Sequence, residues 1–249
     1  MSASLRRGLV PGTAASAFAL LLGEPALAGP PFAVDDPGTV EAWHATLLVR
    51  YELVHSDGVD THSIPAATLT LGLPARLEFA IDGALLNSEV AEARDVGFGD
   101  PAMTFKWRFL EQDGAVPSLA LAYALRLPTG DEGLTADASV HSPYLTISWQ
   151  LDKQWQLFSD VGTNSRDRGA EDPQFFAGAA LGYQATGSWL IGPDLLGHTH
   201  VRRGQRSDLS AGLATQLDLS DSWSMLARVG GSLLGREDLN VSAGLQLNY

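Results

Sequence analysis

His198 and His200 stand two residues apart, a spacing that puts two imidazoles on one side of a strand and can begin a metal site. Further ligands would be needed, and Arg202, Arg203 and Arg206 beside the pair would repel a cation. The pair therefore reads as part of a solvated loop, and no metal is expected. The same basic stretch is suited to meeting anionic lipopolysaccharide. Serines and the histidines His44, His55, His62 and His141 raise the question of Ser–His hydrolysis. No G-x-S-x-G turn occurs to expose a nucleophile, so no catalytic residue is expected. Gly97-Phe98-Gly99-Asp100 is not a nucleotide loop, since no helix follows to receive a phosphate. Cysteine is absent, which removes disulfides, thiolate metal centres and thiol nucleophiles. A net charge of −13 without a basic stripe argues against nucleic acid as a partner. No cofactor is implied.

The informative charges are those that fall in step with a pattern. In Trp43, Ala45, Leu47, Val49, Tyr51 and Leu53 every odd position is apolar, while His44, Thr46, Arg50 and Glu52 lie between them, with Leu48 the exception. A side-chain period of two is a strand with one apolar and one polar face. The pattern returns in 68–73, 77–82, 103–109, 118–126 and 145–150. It is fainter in 154–162, 174–184, 188–197, 208–217, 222–230 and 239–248. The weakest is 154–162, where Phe158 falls on the polar face. About twelve strands follow, with a range of 10–14, an even number as bacterial single-chain barrels require.

The connections alternate in length. Long ones at 55–63, 87–99, 128–142, 163–173, 198–207 and 231–238 are interleaved with short ones at 73–76, 111–116, 151–154, 184–188 and 218–222. Transmembrane barrels show this asymmetry between external loops and periplasmic turns. Trp43, Trp107, Trp149, Trp155, Trp189 and Trp223 all fall beside a short turn or at the start of the first strand, with Tyr183 and Tyr249 near them. Indoles favour the headgroup region, so one aromatic girdle at the periplasmic interface is expected. A soluble sandwich would alternate too, with its apolar faces packed together, but would have no reason to sort its tryptophans.

The N-terminus fits export. Arg6 and Arg7 precede an apolar run from Ala14 to Leu22, and Ala26-Leu27-Ala28 supplies a small-x-small cleavage site. Residues 1–28 are thus expected to be a signal peptide, and 29–40, with Pro30, Pro31 and Pro37, an irregular periplasmic lead-in. Residues 41–249 form the expected domain, an all-β, antiparallel transmembrane β-barrel in a Gram-negative outer membrane. Charged residues are only 18% of the chain and mean hydropathy is +0.02, as expected when lipid-facing and lumen-facing side chains cancel.

With odd positions toward lipid, Arg50, Glu52, Glu78, Asp82, Lys106, Arg108, Arg126, Asp160, Asp194 and Arg228 face the lumen. Five cations and five anions describe a mixed interior, without strong preference for either sign of ion. These charges either line a solute path or pair across a narrow, closed barrel; about twelve strands lie between filled and open interiors.

Two segments carry a family resemblance. Gly97-Phe98-Gly99-Asp100-Pro101, leading into the strand Met103 to Phe109, and Leu127-Pro128-Thr129-Gly130-Asp131 resemble motifs of the MetA-pathway phenol-degradation outer-membrane proteins. The similarity extends over about residues 35–249. It implies an outer-membrane channel or transporter for passive uptake of small compounds, hydrophobic or aromatic ones included. Outer-membrane lipids and the solute would be its partners. The same residues also make good turns at an external edge, Gly97 and Gly99 rejoining a strand and Pro128, Thr129, Gly130 and Asp131 closing a loop. No long apolar N-terminal plug is visible, a departure from dedicated fatty-acid importers. Behind the channel stand a closed structural or adhesion barrel with functional loops, and then a lipid-modifying enzyme.

Overall fold

The computed structural model describes residues 31–56, 58–90, 93–136, 138–168, 173–199, 207–235 and 237–249. The expected signal peptide and the residues His200, Arg202, Arg203 and Arg206 lie outside the described residues. Thirteen strands form among those described: β1 (Ala45–Ser56), β2 (Val59–Leu73), β3 (Leu77–Val90), β4 (Ala93–Phe98), β5 (Ala102–Leu110), β6 (Ser118–Arg126), β7 (Val140–Gln150), β8 (Trp155–Arg166), β9 (Gln174–Thr186), β10 (Trp189–His198), β11 (Asp208–Asp218), β12 (Trp223–Leu234) and β13 (Glu237–Asn248). β4 pairs with the outer half of β3, from Leu85 to Val90, and β5 with its inner half, from Leu77 to Asp82. The two are one stave interrupted at residues 99–101, where Pro101 has no N–H to donate. Twelve staves result.

Each stave is antiparallel to its neighbours, and the β1–β13 and β2–β3 pairings close the sheet on itself. Through the spanning part each stave is paired on both sides, while β4, in the outer extension, pairs with β3 alone among the described strands. Along β6, Leu121 and Tyr123 are 53% and 40% exposed, while Ala120, Ala122 and Ala124 are at most 2% exposed. Along β7, Tyr144, Thr146 and Ser148 are buried and Trp149 looks out. The exterior thus carries the apolar side chains, among them Leu47, Ile81, Phe105, Leu157, Leu213 and Val229. A contiguous belt of that kind far exceeds the few hundred Å² of apolar patch that a water-facing protein shows, and fits acyl chains instead.

Three of the connections expected to be long loops are mostly strand. β1 runs to Ser56 and β2 starts at Val59; β3 and β4 are separated by 91–92 alone; β12 ends at Leu234 and β13 begins at Glu237. The strands outrun the membrane, β2 with 15 residues and β3 with 14, where about 9–11 suffice to span it. Above the bilayer both faces are wet, so alternation fades and the sequence reads as loop.

The six tryptophans gather at the rim of the short turns: Trp43 before β1, Trp149 near the end of β7, and Trp155, Trp189 and Trp223 opening β8, β10 and β12. Trp107 lies three residues from the end of β5. All are at least 37% exposed, and Trp155 stacks obliquely on Tyr183 with ring centroids 4.8 Å apart.

Residues 31–40 depart from the expectation. They are not a lead-in below the barrel; they enter its lumen, where Phe32 and Val34 are each 2% exposed and Asp35 5%.

Candidate lumenal site

The inserted segment is held by an apolar half and a charged half. Phe32 packs on Phe158, ring centroids 5.3 Å apart, and with Val34, Ala180, Ala214 and Leu190 forms one cluster. Ala33 meets a second cluster of Ala122, Tyr144, Phe176 and Leu196. Gly178 makes the approach feasible, because a Cβ there would come within 2.5 Å of Val34 Cγ1. Phe158, the apparent fault in its strand's alternation, is therefore the seat of Phe32.

Asp35 is the hub of the polar half. Its N–H donates to Asp160 Oδ2 at 2.6 Å, and its carbonyl accepts from Thr146 Oγ1 at 3.0 Å. Its carboxylate accepts from Tyr144 Oη at 2.8 Å and from Lys106 Nζ at 3.2 Å. Lys106 is 7% exposed and reaches Glu78 Oε1 at 3.2 Å and the Asp36 carbonyl at 2.9 Å. Glu78 Oε2 accepts the Val40 N–H at 2.9 Å, and Asp194 Oδ2 the Ala33 N–H at 3.2 Å. An ammonium so buried is tolerable only with such partners. Arg108 lies on the same strand, two residues on, and its buried Nε has no hydrogen-bond partner among the described residues.

Nearer the outer mouth the wall pairs with itself. Arg50 binds Glu52 at 2.5 Å, Asp82 at 3.1 Å and Thr68 at 2.8 Å. Arg228 makes a two-pronged contact with Asp194 at 2.9 and 2.8 Å, and reaches Asn240 at 3.2 Å. Between these groups and the inserted segment lies a cavity of about 290 Å³, lined by Arg50, Glu52, Asp82, Arg126, Asp160 and Arg228 among others. Of the ten charges expected in the lumen, these six surround the cavity, while Glu78, Lys106, Arg108 and Asp194 are not among its lining residues. Phe32, Val34, Asp35, Tyr144 and Phe176 were not singled out from the sequence. Phe158 and Phe176, both on otherwise polar faces, were the available signal.

The two motifs behind the family resemblance clasp each other. Asp131 accepts the Phe98 N–H through Oδ2 at 2.7 Å, and its own N–H donates to the Phe98 carbonyl at 2.8 Å. Asp100 accepts from the Gly130 N–H at 2.9 Å, Thr135 Oγ1 at 2.6 Å and the Ala136 N–H at 2.7 Å. Gly130 lies so close to residues 98–100 that a Cβ would meet the Phe98 carbonyl at 2.8 Å. The Thr129 N–H donates to the Leu127 carbonyl at 2.8 Å, while Gly97 and Gly99 leave no room for a Cβ against Asp131 and Leu86 respectively. The clasp folds the segment after Pro128 inward, so that Leu134, 1% exposed, packs on Leu86 with Val59 and Ala84. These motifs build structure at the outer mouth.

Each of the described histidines has contacts of its own. His141 bonds Tyr123 and Asp167, both at 2.5 Å, and His62 bonds Tyr51 at 2.8 Å. His55 pairs with Asp60 at 2.5 Å, and His44 approaches the Ala42 carbonyl at 3.3 Å. The His198 ring lies 5.9 Å from that of Phe176. Among the described residues no three His, Asp or Glu side chains are grouped to hold a metal.

A closed twelve-stave barrel with an apolar exterior and a charged lumen is an outer-membrane β-barrel in its fold. The profile of the family described as "Putative MetA-pathway of phenol degradation" matches residues 25–248, and the chain belongs to that family. The fold is similar to the crystal structure of an outer membrane channel from Pseudomonas putida F1, with TM-score 0.68 and 14% identity over 89% of this chain and 100% of that one. It is also similar to the KdgM porin, with TM-score 0.58 and 11% identity over 81% of this chain and 99% of that one. The NanC porin gives TM-score 0.58 and 10% identity over 81% and 98% of the two chains. A comparison with curated proteins returns no match.

Proposed function

We propose that the protein is a passive outer-membrane channel whose lumen admits small solutes past the segment 31–40. The observation that carries this reading is the make-up of the lumen. A cavity of about 290 Å³ is bounded by paired charges on one side and, on the other, by a short segment attached through hydrogen bonds and ion pairs. Such contacts can open without unfolding the wall. Arg50, Glu52, Asp82, Arg126, Asp160 and Arg228 would line the outer path, with Glu78, Lys106, Arg108 and Asp194 further along it. The family description and the channels and porins of similar fold support the same reading, and the family's connection with phenol degradation favours small aromatic compounds as cargo. An N-terminal signal peptide over 1–28 would deliver the chain, and the six tryptophans would seat it among lipid headgroups. Lipopolysaccharide would meet the external hairpins.

A second reading, a closed barrel with functional loops, is favoured by the occupied lumen and by Leu134 folded onto Leu86. Liposome swelling separates the two. Vesicles carrying the folded protein should swell in isosmotic arabinose or phenol-sized solutes; vesicles that hold their volume with every solute would reject the channel.

A further inference from the structure

Asp160 is the exception among the lumenal carboxylates. Its Oδ2 accepts the Asp35 N–H, but Oδ1 is buried with no hydrogen-bond partner among the described residues, and the residue is 3% exposed. Thr146, opposite Asp160 across the β7–β8 pairing, gives its hydroxyl to the Asp35 carbonyl at 3.0 Å while also lying beside the Asp160 carboxyl. A buried carboxylate oxygen lacking a donor is costly, and such groups in native proteins call for an explanation. This one belongs to a residue that lines the cavity, together with the apolar side chains of Phe32, Phe176 and Leu196.

The nearby cations are largely committed elsewhere. Lys106 is shared between Asp35 and Glu78, Arg50 between Glu52 and Asp82, and Arg228 grips Asp194. Arg126 is remote: Ala120 is level with Asp160 through Thr146, and Arg126 stands six residues beyond it, about 20 Å along β6. Asp35, Asp36, Glu78 and Asp160 gather at the inserted segment around Lys106, with Arg108 two residues further along the same strand.

We infer that the floor of the cavity is a binding site for a compact organic cation, a primary ammonium carried on an apolar or aromatic body. The ammonium donates to Asp160 Oδ1, while the body lies against Phe32, Phe176 and Leu196. A charge-assisted bond to this carboxyl favours the cation over a neutral hydroxyl compound of the same shape. The role of this site in uptake rests on the reading of the lumen as a solute path; occupancy of the site does not.

Calorimetric titration of the full chain, folded in detergent, with benzylammonium chloride and with benzyl alcohol at neutral pH tests it. The wild type should bind the ammonium at least about tenfold more tightly than the alcohol, as expected for a charge-assisted bond over a neutral one. Asp160→Asn keeps an oxygen for the Asp35 N–H and should abolish the preference; heat-modifiable gel mobility verifies its fold. Phe176→Leu should weaken both ligands together. Equal affinities in the wild type, a preference that survives Asp160→Asn, or no binding of either compound would overturn the site. Failure here with swelling intact rejects the cation site alone. Binding without swelling rejects transport and keeps the site.

Discussion

Replacing Lys106 with alanine should release the inserted segment. Lys106 is the cation shared by Asp35 and Glu78, and it also holds the Asp36 carbonyl, at 7% exposure. Breaking a buried pair by removing one partner costs about 3–5 kcal/mol, because the remaining carboxylates stay buried without compensation. A loss of 3–5 kcal/mol shifts the inserted-to-released equilibrium by about 10²–10⁴-fold. In planar bilayers Lys106→Ala should show larger and longer openings than wild type, and protease should cut its N-terminal segment faster. Lys106→Arg should behave close to wild type. Unchanged openings and unchanged cleavage in a folded Lys106→Ala barrel would refute the claim that this ion pair holds the segment.

Three other expectations concern the same architecture. Gly178→Val puts a side chain where Val34 Cγ1 lies 2.5 Å from the Cβ position, so the segment should be displaced and cleaved more readily while gel mobility stays that of a folded barrel. Asp100→Ala leaves the Gly130 and Ala136 N–H groups without their acceptor and should destabilise the loop by about 2–4 kcal/mol, read as faster amide exchange across 128–136 with little change in the strands. Leu121→Arg places a cation on the lipid face and should cost about 2–4 kcal/mol in a bilayer unfolding titration; a neutral result would contradict the assigned orientation of β6.

Much of the barrel was legible in the residues because its physics is periodic. Alternation in segments such as 43–53 and 103–109 defines a wall with one greasy face, and the twelve segments it marks correspond to the twelve staves, with β4 continuing β5 beyond residues 99–101. The hairpins above the membrane were hidden for the opposite reason. Around Ser56 and Val59 no face is buried in lipid, so nothing enforces alternation and strand resembles loop. The inserted segment was hidden because ten residues with two prolines, two apolar anchors and two aspartates have no period at all. Its imprint lies across the chain, in Phe158, Phe176 and Gly178, whose contacts join residues more than a hundred positions apart. The motif pair was legible as turns, but not that Asp100 accepts from the Gly130 N–H and Asp131 from the Phe98 N–H, each bonding the backbone of the other's motif.

Single-channel recording from the intact, unmodified chain in a planar bilayer bears most directly on whether the lumen conducts. The account predicts discrete current steps, small when residues 31–40 occupy the lumen and larger on brief openings. Folded protein inserted in the membrane that leaves the baseline flat at every voltage and salt concentration would contradict it.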